Sequence, residues 1–302
     1  MLQNKTGSIV QCGREISSEE VDEIRETVQL FPGLSRSELA ATICEHLGWI
    51  TASGGYKIDA CLKLVKRLEG NGCVKLPQKR AISPQRQSSI VLTPKTRPKA
   101  DIVGRLSDVG VVRLRVVKDQ ELKGVWNEYV SRYHYLGYKR PFGYCLRYFV
   151  DSPRGLLGCL MFQGAAKALR TRDRWIGWTE KQRLRNLAWV INNSRFLILP
   201  WVQLKNLGSH ILGQALRRVR DDWQHRWGYR PVLVETFVDP QRYEGISYKA
   251  ANWQYLGMTT GEGLLRKGKS YTTTPKKIFV RPLVKDFRAL LCSEYLQGRV
   301  EQ

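Results

Sequence analysis

Residues 195–216 read RFLILPWVQLKNLGSHILGQAL. The apolar run from Phe196 to Leu199 is cut off by Pro200, and Ile211, Leu212, Ala215 and Leu216 then recur at helical spacing. Between them lies a turn, Gln203-Leu204-Lys205-Asn206-Leu207-Gly208-Ser209. A strand thus feeds a small-residue turn, and the turn opens a helix. The start of a helix offers unbonded N–H groups and the positive end of its dipole, so such a turn can hold an anion. Lys205 adds charge there and Ser209 can cap the helix. A glycine in a strand-helix corner also serves the turn alone.

Elements of both kinds surround this unit. VVRLRVV (111–117) alternates like a strand, and DQELKGVWNEYVSRYHYLG reads as a helix running to Gly137. CLRYFV and GLLGCLMF are two strands joined by the polar turn DSPR. TEKQRLRNLAWVINN reads as helical until Asn192-Asn193, and PVLVETFV (231–238) as a strand. GISYKAANWQYLG (245–257) predicts a helix, KKIFVRPL a last strand and VKDFRALLCSEYL a closing helix. The order predicts an α+β domain over 100–302, a mixed sheet flanked by helices.

Residues 14–77 read as a separate module. An acidic-led helix ends at Pro32-Gly33. SRSE (35–38) is a capping-box pattern that opens a second helix. A third helix carries Ile58, Cys61, Leu62, Val65 and Leu68 on one stripe, and EGNGCVKLPQK suggests a turn and strand after it. Three helices and a small hairpin predict a winged helix-turn-helix. Lys57, Lys63, Lys66 and Arg67 populate its third helix and are the candidate DNA contacts. A three-helix adaptor is the alternative. Residues 78–99 are rich in Lys, Arg and Pro and free of acid, as a basic linker would be.

Charge sets the partner. Fifty Lys+Arg against 27 Asp+Glu give +23 over 302 residues, a surplus that favours a polyanion because each phosphate contacted releases counterions. Double-stranded DNA is the first candidate. A membrane is disfavoured: no 18-residue apolar run occurs, and the first residues lack a signal-peptide core. The seven cysteines include no CxxC pair, which argues against a zinc ribbon. Together these predict a cytoplasmic protein.

The strand-turn-helix unit resembles the acyl-CoA-binding segment of the GNAT (Gcn5-related N-acetyltransferase) superfamily, whose Q/R-x-x-G-x-G/A loop offers amides to the coenzyme pyrophosphate. The resemblance places Gln203, Asn206, Gly208 and Ser209 at an acyl-CoA-like donor, with Asn206 where the first glycine belongs. It also implies that the strands at 195–200 and 231–238 splay apart. ETFVDP and GISYKAANWQYLG are similar to a later GNAT strand and helix, which makes Tyr248 the nearest candidate general acid. A longer resemblance rests on YHYLG (133–137), RDRWIGW (172–178), NNSRFLILPWVQLKNLGSHIL and ETFVDPQRYEGISYKAANWQYLG. These stretches look like the DruA family of the Druantia anti-phage system and its transposase-labelled relatives in mobile elements. That resemblance implies action on DNA beside other proteins of a defence or mobile-element system.

Three mechanisms follow. In an acyl transfer to a nucleic-acid or protein amine, Glu235 or Asp239 would orient or deprotonate the acceptor and Tyr248 would supply a proton. In a metal-dependent transposase or nuclease, Asp173, Glu235 and Asp239 would converge on Mg²⁺. In the third, the domain is a DNA-binding scaffold without chemistry. The carboxylates can instead pair with nearby arginines, and Glu244 stands beside them. His134 and His210 suit polar or nucleic-acid contacts. Most tryptophans read as core, but Trp175 and Trp178 lie beside Arg172 and Arg174 in an expected loop, as bases and phosphates would require.

Overall fold

The computed structural model describes residues 9–12, 14–50, 56–78, 90–141, 143–261 and 274–293. These form two compact units, residues 9–78 with Gly143 and Tyr144, and the remainder. Most of the expected linker, residues 79–89, lies outside the described residues.

The first unit opens with an antiparallel pair, β1 (Ile9–Gln11) and β2 (Arg14–Ile16). Three helices follow: α1 (Ser18–Leu30), α2 (Arg36–His46) and α3 (Ile58–Gly70). The SRSE capping box is formed, with Ser35 and Glu38 satisfying each other's backbone amides at the start of α2. Cys61, Leu64, Val65 and Leu68 are the buried face of α3, and Leu62 stands at its margin. The expected strand after α3 is not formed among the described residues. Leu76 N–H donates to Glu69 and Arg36 holds the Pro77 carbonyl at 2.8 Å, so side chains satisfy backbone groups there that a strand partner would otherwise take. The hairpin stands ahead of α1 instead.

The second unit is mixed α+β. Its elements are β3 (Ile102–Gly104), β4 (Arg113–Val116), α4 (Gln120–Tyr133), β5 (Cys145–Ser152), β6 (Gly155–Gly164), α5 (Arg170–Ile176) and α6 (Glu180–Asn186). After them come β7 (Val190–Ile198), β8 (Val202–Leu204), α7 (Leu207–Trp227), β9 (Leu233–Val238), α8 (Ile246–Ala250), β10 (Gln254–Met258), β11 (Lys277–Pro282) and α9 (Phe287–Leu291). Seven strands make one sheet in the order β10-β11-β9-β7-β6-β5-β4. Every neighbouring pair is antiparallel except β7 and β9. α7 buries Ile211, Leu212, Ala215, Val219 and Trp223 on one stripe, the face that the period of the sequence predicts. Tyr148 of β5 donates from its hydroxyl to Asp222 of α7 at 2.8 Å.

The β7–β9 pairing positions the site. Val190, Ile191 and Asn192 pair with Leu233, Val234 and Glu235, and the ladder ends there. β7 continues to Ile198 bonded to β6. The two strands therefore part beyond Asn192, as the GNAT resemblance implies.

Three local expectations are revised. Asn192 and Asn193 lie inside β7 rather than at the end of a helix, and α6 stops at Asn186. The expected helix over 245–257 is split, because Asn252 turns at φ 60° and the chain then enters β10. The expected loop around Asp173 is the helix α5. No helix among the described residues is long and apolar enough to cross a membrane.

Candidate functional site

The turn between β8 and α7 is built by Asn206. Its φ is 64°, a left-handed conformation that asparagine adopts more readily than most residues. Lys205 N–H is held by Gly104 of β3 at 3.4 Å, and His210 N–H by the Asn206 carbonyl at 3.1 Å. The amides between them, on Asn206, Leu207, Gly208 and Ser209, find no acceptor among the described residues, and no side chain caps α7. Ser209 does not cap either: its hydroxyl donates to the Asn206 carbonyl at 3.1 Å. Gln203 and Asn206 are exposed. Gly208 is buried, and a Cβ there would lie 2.3 Å from Ser247 Oγ. Its lack of a side chain lets α8 approach α7.

Where β7 leaves β9, polar side chains fill the fork. Thr236 Oγ1 donates to the Asn193 carbonyl at 2.9 Å. Tyr248 Oη donates to Asn193 Oδ1 at 2.7 Å. Asn193 Nδ2 donates to the carbonyls of Met161 and Arg195 at 3.0 and 3.1 Å. The ladder with β6 slips here: Phe162 faces Asn193 and Met161 faces Arg195, which leaves Ser194 as a bulge. Burial pushes the Tyr248 phenol up. Asn192 Oδ1, Ser194 Oγ and Trp253 Nε1 are buried without a partner.

A second cluster gathers four separated segments. His134, Tyr135 and Tyr138 follow α4; Arg195 is on β7; Asp239, Arg242 and Tyr243 follow β9; and Lys276 precedes β11. The rings of Tyr135 and Tyr243 meet edge to face at 5.7 Å, and the Arg242 guanidinium lies 5.3 Å from the Tyr135 ring centre. Arg195 Nε donates to the Gly137 carbonyl at 3.1 Å and Nη1 to that of Ser194 at 2.7 Å. Asp239 accepts from Gln241 N–H at 3.0 Å. Burial, then the charge of Asp239, raises the Tyr135 phenol. Burial, then Arg195 and Lys276, holds His134 down at about 4. YHYLG and DPQRY signalled this region in the sequence, but Tyr135, Arg195, Arg242 and Lys276 were not singled out by it.

The three carboxylates do not converge on a metal. Glu235 and Arg172 are both 0% exposed and pair at 2.8 Å, and Ala166 N–H occupies the other Glu235 oxygen at 2.8 Å. Arg172 also binds Asp173 at 2.7 Å, whose oxygens further accept from Leu169 N–H and Trp178 Nε1. Burial raises Glu235, with Arg172 opposing it. Burial lowers Arg172, but Glu235 and Asp173 outweigh it and leave it raised. Asp239 lies in the other cluster. Among the described residues no three His, Cys, Asp or Glu side chains are grouped to hold a metal ion. The Asp173-Glu235-Asp239 site is therefore corrected: Asp173 and Glu235 belong to an ion-pair network built on Arg172, and Asp239 to the cluster around Tyr135. Glu244 is paired with Lys277 at 2.8 Å.

The expected nucleic-acid contacts divide. Lys63, Lys66 and Arg67 are exposed on α3, with Lys57 half-buried at its start, and Arg174 is exposed on α5. Arg172 and Trp178 are core residues: Arg172 is held by Glu235 and Asp173, and the Trp178 ring lies against its guanidinium at 5.6 Å. Trp175 stacks on Phe287 at 5.0 Å with Arg288 across its ring at 4.6 Å. That covers the indole expected to stack bases. His210 shares a 2.9 Å contact with Gln214 on α7.

A family model described as Druantia protein DruA matches residues 67–273. No curated protein matches the chain. Among solved structures, a variant of the spermidine N-acetyltransferase SpeG from Vibrio cholerae is 12% identical, over 58% of this chain and 95% of its own, with a TM-score of 0.35. The aminoglycoside acetyltransferase AAC(6')-Ib in complex with coenzyme A and kanamycin is 15% identical, over 57% and 95%, with a TM-score of 0.35. A Bacillus subtilis acetyltransferase in complex with CoA is 10% identical, over 58% and 100%, with a TM-score of 0.33.

Proposed function

Because the chain belongs to the DruA family, we propose that it serves anti-phage defence by transferring an acyl-type group from a coenzyme A-like donor to an amine, and that it binds DNA. One observation carries the reading. The amides of Leu207, Gly208 and Ser209, which find no acceptor among the described residues, begin a 21-residue helix beside the gap where β7 leaves β9. A pyrophosphate satisfies such amides and the helix dipole together. A donor held there extends into the gap, past the polar fork of Asn193, Thr236 and Tyr248. This chain's residues would bind the donor at the turn, and Tyr135, His134 and Asp239 would handle the proton of the acceptor.

The DNA part of the reading rests on charge. Lys63, Lys66 and Arg67 stand exposed on one helix of a chain carrying +23, and α3 is its recognition helix. If so, affinity for a labelled duplex falls steeply with salt, and Lys63→Ala with Lys66→Ala makes the slope shallower by about 2.

Titration calorimetry with coenzyme A tests the donor site. Ser209→Asp is the informative variant. A carboxylate in the first turn favours the helix dipole, so the fold is retained while the phosphates are repelled. The folded protein should bind coenzyme A without added metal, and Ser209→Asp should weaken binding at least tenfold. A folded protein that ignores coenzyme A overturns the transfer reading and leaves a DNA-binding scaffold.

A further inference from the structure

The cluster around Tyr135 contains a charge without a counter-charge. Arg195 is half-buried, and among the described residues its guanidinium bonds only to the carbonyls of Gly137 and Ser194. No carboxylate stands within ion-pair distance of Arg195, Arg242 or Lys276 among the described residues. Asp239 is the acid nearby, against Arg195, Lys276 and Lys139. Burial lowers both Arg195 and Lys276. Charges taken out of water are ordinarily paired, so this grouping is incomplete on its own.

A second observation falls on the same sheet face. Asn192 pairs with Gln163 and Arg195 with Met161, two residues apart on β6, so their side chains share a side of β7. Asn192 is 8% exposed and its Oδ1 has no partner. The bulged Ser194 between them also leaves its hydroxyl unpartnered. An acceptor and a hydroxyl thus lie beside an uncompensated cation. Tyr135 is covered by the stacked ring of His134 and by Arg242, but Tyr243, 54% exposed and set against the edge of Tyr135, adds aromatic surface next to it, which suits the flat face of a base.

We infer that this cluster is the acceptor subsite and takes a nucleotide whose base carries an exocyclic amine, with its phosphate on Arg195 and Lys276 and its base against Tyr243; the amine would gain the acyl group as the donor's acyl–sulfur bond breaks, and the displaced thiol would leave with the amine's proton. This rests on the transfer reading and names its acceptor class. It also excludes polyamines as acceptors, since a cationic chain would enter a site already rich in unneutralised cations. The nucleotide is either free or part of a strand, and the phosphate is common to both.

The test needs no acyl donor, so its failure is separate from failure of coenzyme A binding. The full-length protein is titrated at low salt with deoxycytidine monophosphate, with a 5′-phosphorylated deoxycytidine dinucleotide, with unphosphorylated deoxycytidine, with spermidine and with an aspartate-rich peptide. The readouts are calorimetry and the NMR titration of His134, assigned by His134→Gln. The two phosphorylated probes should bind, and a bound phosphate should raise the His134 titration from about 4 by at least one pH unit. Tighter binding of the dinucleotide identifies a strand as the source, and equal binding a free nucleotide. Lys276→Met should cost at least tenfold in affinity. Arg195→Lys keeps the charge in case Arg195→Met fails to fold, and it should bind more weakly than the parent but better than Lys276→Met. Deoxycytidine binding as well as its phosphate, spermidine or the peptide binding more tightly, or an unmoved His134 would each overturn the assignment.

Discussion

Ser247 fills the space that a side chain on Gly208 would need: a Cβ there would lie 2.3 Å from Ser247 Oγ and 3.0 Å from its Cβ. The glycine of the candidate donor loop is therefore a packing residue. Gly208→Ala should destabilise the protein by about 1–3 kcal/mol through overpacking. Ser247→Gly added to it should recover most of that loss, because it removes the atoms that clash. Urea unfolding of both single variants and the pair measures this. If the pair is no more stable than Gly208→Ala, the contact does not set the cost.

The Arg172–Glu235 pair makes a prediction opposite to that of a metal centre. Both side chains are fully buried, so removing Arg172 leaves Glu235 without its counter-charge, at a cost of about 3–5 kcal/mol. Arg172→Met should lose that much in denaturant unfolding, and Glu235→Leu, which leaves Arg172 paired with Asp173, should lose less. Arg172→Met with Glu235→Leu should lose less than Arg172→Met alone, although Asp173 then loses its partner. Millimolar Mg²⁺ should leave the melting temperature unchanged. A Mg²⁺-dependent rise that Glu235→Leu abolishes would restore the metal reading.

His134 ties stability to pH. Its folded value is about 4, below the ordinary histidine value of about 6.5. Between those values the unfolded chain binds a proton that the folded chain refuses, so unfolding free energy rises with pH across that window and levels off above it. The groups responsible, after burial itself, are Arg195 and Lys276. His134→Gln should flatten the slope between pH 4 and 6.5 by close to one proton. A slope unchanged in that variant places the pH dependence elsewhere.

The strand, turn and helix at 195–227 were legible because apolar periodicity and one small-residue turn lie within a single stretch of chain. The start of β7 was not. Asn192, Asn193 and Ser194 break the apolar pattern of a buried strand, and their polarity belongs to the fork and to the cluster beside it. The role of Arg172 was equally hidden, since its partner Glu235 lies 63 positions away and the sequence shows only a basic loop with tryptophans. Tyr135, Arg195 and Lys276 meet only after the sheet assembles. Sequence offered the motifs YHYLG and DPQRY as a signal there, without their spatial relation. The strand expected after α3 failed for a local reason: Arg36 and Glu69 satisfy backbone groups of that segment.

Tyr248 provides the last test, because its hydroxyl is engaged at the fork. It donates to Asn193 Oδ1 at 2.7 Å within a buried network that includes Thr236, and burial raises its phenol. We expect it to position the fork rather than to deliver a proton. Tyr248→Phe leaves Asn193 Oδ1 buried and unpaired, which should cost about 1–3 kcal/mol in unfolding free energy. Asn193→Leu should cost a similar amount, and the double variant should cost less than the two singles added together, since both remove the same bond. Coenzyme A affinity should fall less than threefold in Tyr248→Phe, because the amides of α7 remain. Once an acceptor is in hand, the pH profile of transfer decides the role. A positioning residue lowers the rate at every pH without reshaping the profile, whereas a proton donor removes its alkaline limb. Unchanged stability in Tyr248→Phe together with loss of that limb would make Tyr248 the general acid.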